Sequence, residues 1–118
     1  MKNISVIKNK STLKILEDIK REITTSLGNV VKEIVLYGSY ARNEQTQDSD
    51  IDIVVLLKER ISNRSFIREK LSDIKVDLSL KYDVVISIII KDYHQYARFR
   101  DIVPFYSAIY NEGIALYG

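Results

Sequence analysis

Two aspartates, Asp50 and Asp52, alternate with Ile51 and Ile53 ahead of the wholly apolar run Val54-Val55-Leu56-Leu57. A strand turns successive side chains to opposite faces, so the isoleucines enter a core while both carboxylates share the other face, roughly 6.6 Å apart along the chain. Such tips can converge on divalent ions spaced about 3.5–4 Å. Without a cation the two acids repel and at least one has its pKa raised; magnesium, a hard cation that takes carboxylate and nucleotide phosphate oxygens together, removes that cost. Alternation of acid and apolar residue is also what any half-exposed strand shows. The metal reading is favoured by what lies upstream. There a short β-branched run, residues 34–37, stops at Gly38, and Ser39 opens a helical turn. Glycine lets backbone approach a ligand and the start of a helical turn presents free N–H groups, so Gly38-Ser39 suits a phosphate. Arg42 comes next in the same turn, as well placed for a phosphate fork as for a plain helix surface. Asp48 and Ser49 fit a turn better than a ligand set.

The elements that must position these groups are legible by period. Leu13, Leu16, Ile19, Ile23 and Leu27 recur at helical steps, with Ser11 as expected N-cap and Gly28 as the stop. The strand ending at Tyr37, the turn with a short helix from Ser39, and the polar rim of residues 43–49 then lead into the acidic strand. Beyond the charged exit at residues 58–60, Ser62 or Ser65 can cap a helix carrying Ile67, Leu71, Ile74 and Leu78. Asp77 belongs on that helix. The chain next enters an apolar strand preceded by Asp83, which stands beside the acid pair if the two strands are sheet neighbours. Pro104 opens a last helix running to about Asn111, as proline is tolerated in a first turn. The tyrosine-rich stretch from Lys91 onward reads as core packing or a protein contact surface.

With 118 residues, near-equal charge of both signs and a net charge of +2, the chain is expected to form one domain, residues 1–118, with residues 1–10 as a loose or partner-dependent arm. So small an excess of charge gives no case for a nucleic-acid surface. The absence of cysteine rules out a disulfide framework, and with His94 the single histidine there is no zinc ligand set; His94 is expected on a helix surface. The N-terminus lacks an export signal, and the apolar run of residues 84–90, broken by Ser87, falls short of the roughly 20 residues of a membrane span, so a cytoplasmic protein is expected.

The pair Gly38-Ser39, ten intervening residues, then Asp50-Ile51-Asp52 resembles the signature of the polymerase-β-type nucleotidyltransferase superfamily. Within it, Gly38-Ser39-Tyr40-Ala41-Arg42 followed by Asp48-Ser49-Asp50-Ile51-Asp52 resembles the minimal nucleotidyltransferase (MNT) proteins of prokaryotes, antitoxin partners of HEPN-domain toxins. The closing residues 112–117 resemble theirs as well. Asn43 stands where relatives commonly carry glycine, and asparagine is the residue best able to replace it at positive φ. The resemblance implies a mixed α/β (α+β) fold, a small mixed sheet flanked by helices. It implies a third acid at the start of a later strand, matched by Asp83, so that Asp50, Asp52 and Asp83 would be catalytic and hold two Mg2+ ions. Gly38, Ser39 and Arg42 would bind ATP. It further implies transfer of AMP to a tyrosine hydroxyl of a HEPN toxin, in a hetero-oligomer with it. Two alternatives stay open: a binding module that silences its partner by occlusion, and nucleotidyl transfer to a small molecule or RNA.

Overall fold

The computed structural model describes residues 1–58 and 64–118. Among them a five-stranded mixed sheet runs in the order β1-β5-β2-β3-β4, built from β1 (Lys2–Asn3), β2 (Val31–Tyr37), β3 (Ile51–Leu57), β4 (Ile86–Asp92) and β5 (Ile114–Tyr117). Helices α1 (Lys10–Leu27) and α2 (Arg64–Tyr82) cover one face, and α3 (Tyr93–Phe99) and α4 (Pro104–Glu112) cover the other. This is the mixed α/β architecture expected.

Strand period two divides the core. Ile34 and Leu36 of β2 and Ile51, Ile53, Val55 and Leu57 of β3 are buried under Leu16, Ile19 and Ile23 of α1 and Leu71, Ile74 and Leu78 of α2. Val35, Val54 and Leu56 point the opposite way and meet Tyr96 of α3 and Ile109 of α4. The larger layer is aliphatic and the smaller aromatic, with Tyr96 packed between the rings of Tyr93 and Tyr106. Asp52 belongs by alternation to the face of Val54 and Leu56. At the site end of the sheet its carboxylate is partly buried.

Several boundaries differ from expectation for local reasons. The cap of α1 is Asn9, whose side chain accepts from the Thr12 N–H at 3.0 Å, so the helix starts one residue before Ser11. Gly28 ends that helix at φ +48, its N–H donating to the Thr24 carbonyl. Ser65 lies inside the first turn of α2 rather than capping it, and Ser62 lies outside the described residues. The N-terminal arm is docked: Lys2 and Asn3 pair in parallel with Ile114 and Ala115, and the Lys2 N–H donates to the Gly113 carbonyl at 2.9 Å. Pro104 occupies the first turn of α4, as its missing N–H favours, and His94 is exposed on α3. Among the described residues no helix is long and apolar enough to cross a membrane.

Candidate functional site

The antiparallel register of β2 and β3 sets Tyr37 opposite Asp52 and so delivers Gly38, the next residue, to the same edge of the sheet. Gly38 has φ +75, and a Cβ there would run into the Asp52 carboxylate. Turn and acid are therefore packed against each other, and glycine is required twice over, for the backbone angle and for the space.

After Gly38 the chain makes one hydrogen-bonded turn rather than the short helix expected. The Ala41 and Arg42 N–H groups both donate to the Gly38 carbonyl at 3.1 Å, and the Glu44 N–H donates to the Ser39 carbonyl at 2.9 Å. None of these turn bonds uses the N–H of Ser39 or Tyr40, which leads the turn beside Asp52. Asn43 closes it at φ +57, the angle expected of a residue standing in for glycine. From outside, the Lys2 ammonium donates to the Ala41 carbonyl at 3.0 Å, so the docked arm holds the turn. The adjoining rim is tied by Thr46 and Ser49: the Thr46 N–H donates to Ser49 Oγ at 2.9 Å and the Ser49 N–H to the Thr46 carbonyl at 3.1 Å. Ser49 thus serves the turn that delivers Asp50.

The electrostatics mark Asp52 as the centre. Its carboxyl is pushed above the usual carboxylate range, first by burial and then by the negative charge of Asp50, with the Arg42 guanidinium pulling the other way. The Tyr37 hydroxyl is pushed up in turn by burial and by Asp52. Arg42 is exposed and only loosely engaged, its Nε 3.6 Å from Glu44 and its Nη1 4.0 Å from Glu112. Ion pairs this long and this wet hold a side chain weakly, so the guanidinium can be redirected at little cost. Two adjacent carboxylates, one of them with its proton affinity raised by burial and by the other's charge, are a donor set suited to one divalent cation shared with phosphate oxygens.

The structure brings Gly38, Ser39, Arg42, Asp50 and Asp52 to one edge, and it places Asp83 at a helix stop rather than at the start of a strand. β3 and β4 are parallel neighbours, as anticipated, yet β4 begins only at Ile86. Asp83 instead ends α2. It sits at φ +52 with the next residue's N–H, that of Val84, donating to the Ser79 carbonyl at 3.2 Å, the hydrogen bond of a Schellman helix stop in which aspartate takes the place usual for glycine. Tyr82 and Val84 on either side pack against the aliphatic core, on the face away from Asp52. Asp83 itself is exposed and borders a cavity of about 300 Å³ together with Tyr40, Asp48 and Ser49. Among the described residues no three His, Cys, Asp or Glu side chains are grouped to hold a metal ion. The strand residue opposite Asp52 is Ser87, which the periodicity of the sequence could not single out because its neighbours are apolar on both faces. Tyr37 was likewise not foreseen; its position just before Gly38 was the available signal.

Residues 14–110 match the family model for the nucleotidyltransferase domain. A Methanocaldococcus jannaschii protein named "Putative protein adenylyltransferase MJ0141" is 36% identical over 78 residues, 66% of this chain and 77% of its own length. The "Protein adenylyltransferase MntA" of Thermococcus cleftensis is 39% identical over 79 residues, covering 59% and 78%. Among solved structures, a "toxin-antitoxin with AMP-PNP" aligns over 86% of this chain and 73% of that one with a TM-score of 0.57 at 20% identity, a likeness of fold. With a glycine turn packed on an acid-bearing strand and a family match across most of its length, the chain belongs to the nucleotidyltransferase-domain family.

Proposed function

We propose that this nucleotidyltransferase moves AMP from ATP to a tyrosine hydroxyl of a HEPN-domain toxin and so silences it, acting as the antitoxin of a pair. The observation that carries the nucleotide half of this reading is the contact between Gly38 and Asp52, which sets a phosphate-sized turn against an acid pair. The N–H groups leading the turn and the Ser39 hydroxyl would hold the outer phosphates of ATP. Asp50 and Asp52 would hold Mg2+, which when bound neutralises charge developing on the triphosphate. Arg42 would swing from its loose carboxylate contacts to a phosphate oxygen. The acceptor hydroxyl gives up its proton to solvent as its oxygen attacks the α-phosphorus, the bond from that phosphorus toward the β-phosphate breaks, and pyrophosphate leaves.

The protein half rests on kinship. Relatives named protein adenylyltransferases and a neighbouring fold titled a toxin-antitoxin complex with AMP-PNP support a protein acceptor over a small molecule or RNA. The test is to mix the purified chain with the product of the adjacent gene, ATP and magnesium, and to weigh the neighbour by mass spectrometry. An added AMP mass, absent with Asp50→Ala and Asp52→Ala, is expected. Inhibition of the neighbour that survives both substitutions would show occlusion instead.

A further inference from the structure

We infer that this chain takes a single divalent cation at its acid pair, because the sheet position from which a third carboxylate would reach that pair is held by Ser87. The inference rests on Asp50 and Asp52 being the metal-holding pair of the proposed function. A third ligand at their depth must come from a strand beside β3, and both neighbours are defined by register. On the β2 side stand Tyr37 and then Gly38. On the β4 side, Asp52 pairs in parallel with Ser87, so the two Cα atoms lie about 4.8 Å apart with side chains on the same face. One pair further toward the site edge, the Ile51 N–H donates to the Val85 carbonyl at 2.8 Å, which continues the ladder and leaves an exposed valine beside Asp50. Phenol, glycine, hydroxyl and isopropyl groups thus surround the acid pair where a carboxylate would be needed.

None of the other acids near this edge, Asp48 of the rim turn included, lies on β2 or β4. Asp83 terminates α2 in the left-handed conformation, and Glu44 and Glu112 face the Arg42 guanidinium. Two carboxylates and a triphosphate fill the oxygen shell of one hard cation, whereas two ions about 3.5–4 Å apart need a further anionic group to offset their mutual repulsion. A neutral serine hydroxyl does not supply it. Because Ser87 already sits on the acid face at the matching register, the missing ligand is one substitution away.

Manganese in place of magnesium, with a non-hydrolysable ATP analogue, gives a readout independent of turnover. The wild-type chain is expected to show the electron paramagnetic resonance sextet of an isolated Mn2+ ion, and Asp83→Asn the same spectrum at the same affinity. Ser87→Asp is expected to convert the sextet into the broadened signal of two coupled ions. A coupled pair in the wild type would overturn the single-ion site, and so would loss of the ion in Asp83→Asn. No ion bound above the level of a chain carrying Asp50→Asn and Asp52→Asn would defeat the acid-pair reading itself, and the inference with it. Should Ser87→Asp fail to fold, the wild-type and Asp83→Asn spectra decide the matter alone.

Discussion

Asp18 and Asp52 are both drawn partly or wholly out of water, and the protein treats them in opposite ways. Asp18, on α1, is 5% exposed and fully answered: Arg21, Lys81 at 3.1 Å and the Tyr82 hydroxyl all converge on it. The Tyr82 hydrogen bond is the largest influence holding its carboxyl down at about 2, against the opposing effect of burial. Asp52 is pushed up, first by burial and then by the charge of Asp50. The first cluster ties α1 to α2 and is complete within the chain. The second is left in deficit, and a carboxylate kept at a cost beside another is the physical mark of a group that waits for a ligand.

Breaking each acid separates these roles. Asp52→Asn is expected to lower the rate of nucleotidyl transfer by about 10²–10³-fold, the scale of losing a principal charge-stabilising contact. Its thermal midpoint without metal should stay the same or rise, since a raised pKa means the charged form opposes folding. Asp18→Asn should do the reverse. A carboxyl moved from 3.8 to about 2 is worth about 2 kcal/mol, so the melting temperature should fall by about 8 °C while transfer per folded molecule is retained.

The acid limb of stability sharpens the contrast, because the two signs differ. Asp18 binds a proton less readily in the folded chain, so its contribution is present above pH 3.8 and is lost as the pH falls toward about 2. Asp52 binds one more readily, so its contribution favours the fold as the pH drops through its raised value. Denaturant titrations against pH should therefore show a shallower acid loss in Asp18→Asn and a steeper one in Asp52→Asn. Equal slopes in both variants would contradict the assignment.

The parts of the site that could be read from sequence are those specified locally. Gly38-Ser39 and Asp50-Ile51-Asp52 carry their geometry in adjacent residues, a turn angle in one case and strand alternation in the other. Asn43 was readable for the same reason, its positive φ arising from its residue type. Asp83 was not, because an aspartate ahead of Val84-Val85-Ile86 fits equally a strand start and a helix stop, and only the hydrogen bond from Val84 to Ser79 distinguishes them. Ser87 gains its meaning from a register set far off in the chain by pairing with Asp52, which no local pattern encodes. The docking of Lys2–Asn3 is similar, a two-residue strand too short to show a period. Helix α3, at seven residues, hides its cap Asp92 inside what looks like the tail of a strand.

Gly38 and Asp83 then test the same backbone angle in the two settings. At Gly38 a side chain meets both left-handed strain and the Asp52 carboxylate, so Gly38→Ala is expected to cost about 1–2 kcal/mol in stability and to lower transfer as well, because the displaced group is Asp52 itself. At Asp83 the strain is already being borne by an L-residue at φ +52 that serves as a helix stop. Replacing it with glycine relieves the angle but gives back unfolded-state entropy, which leaves a net gain of about 0.5 kcal/mol. Asp83→Gly should therefore melt slightly later than the wild type and transfer AMP at the same rate. A loss of transfer with the fold intact would return Asp83 to the chemistry and put the helix stop second.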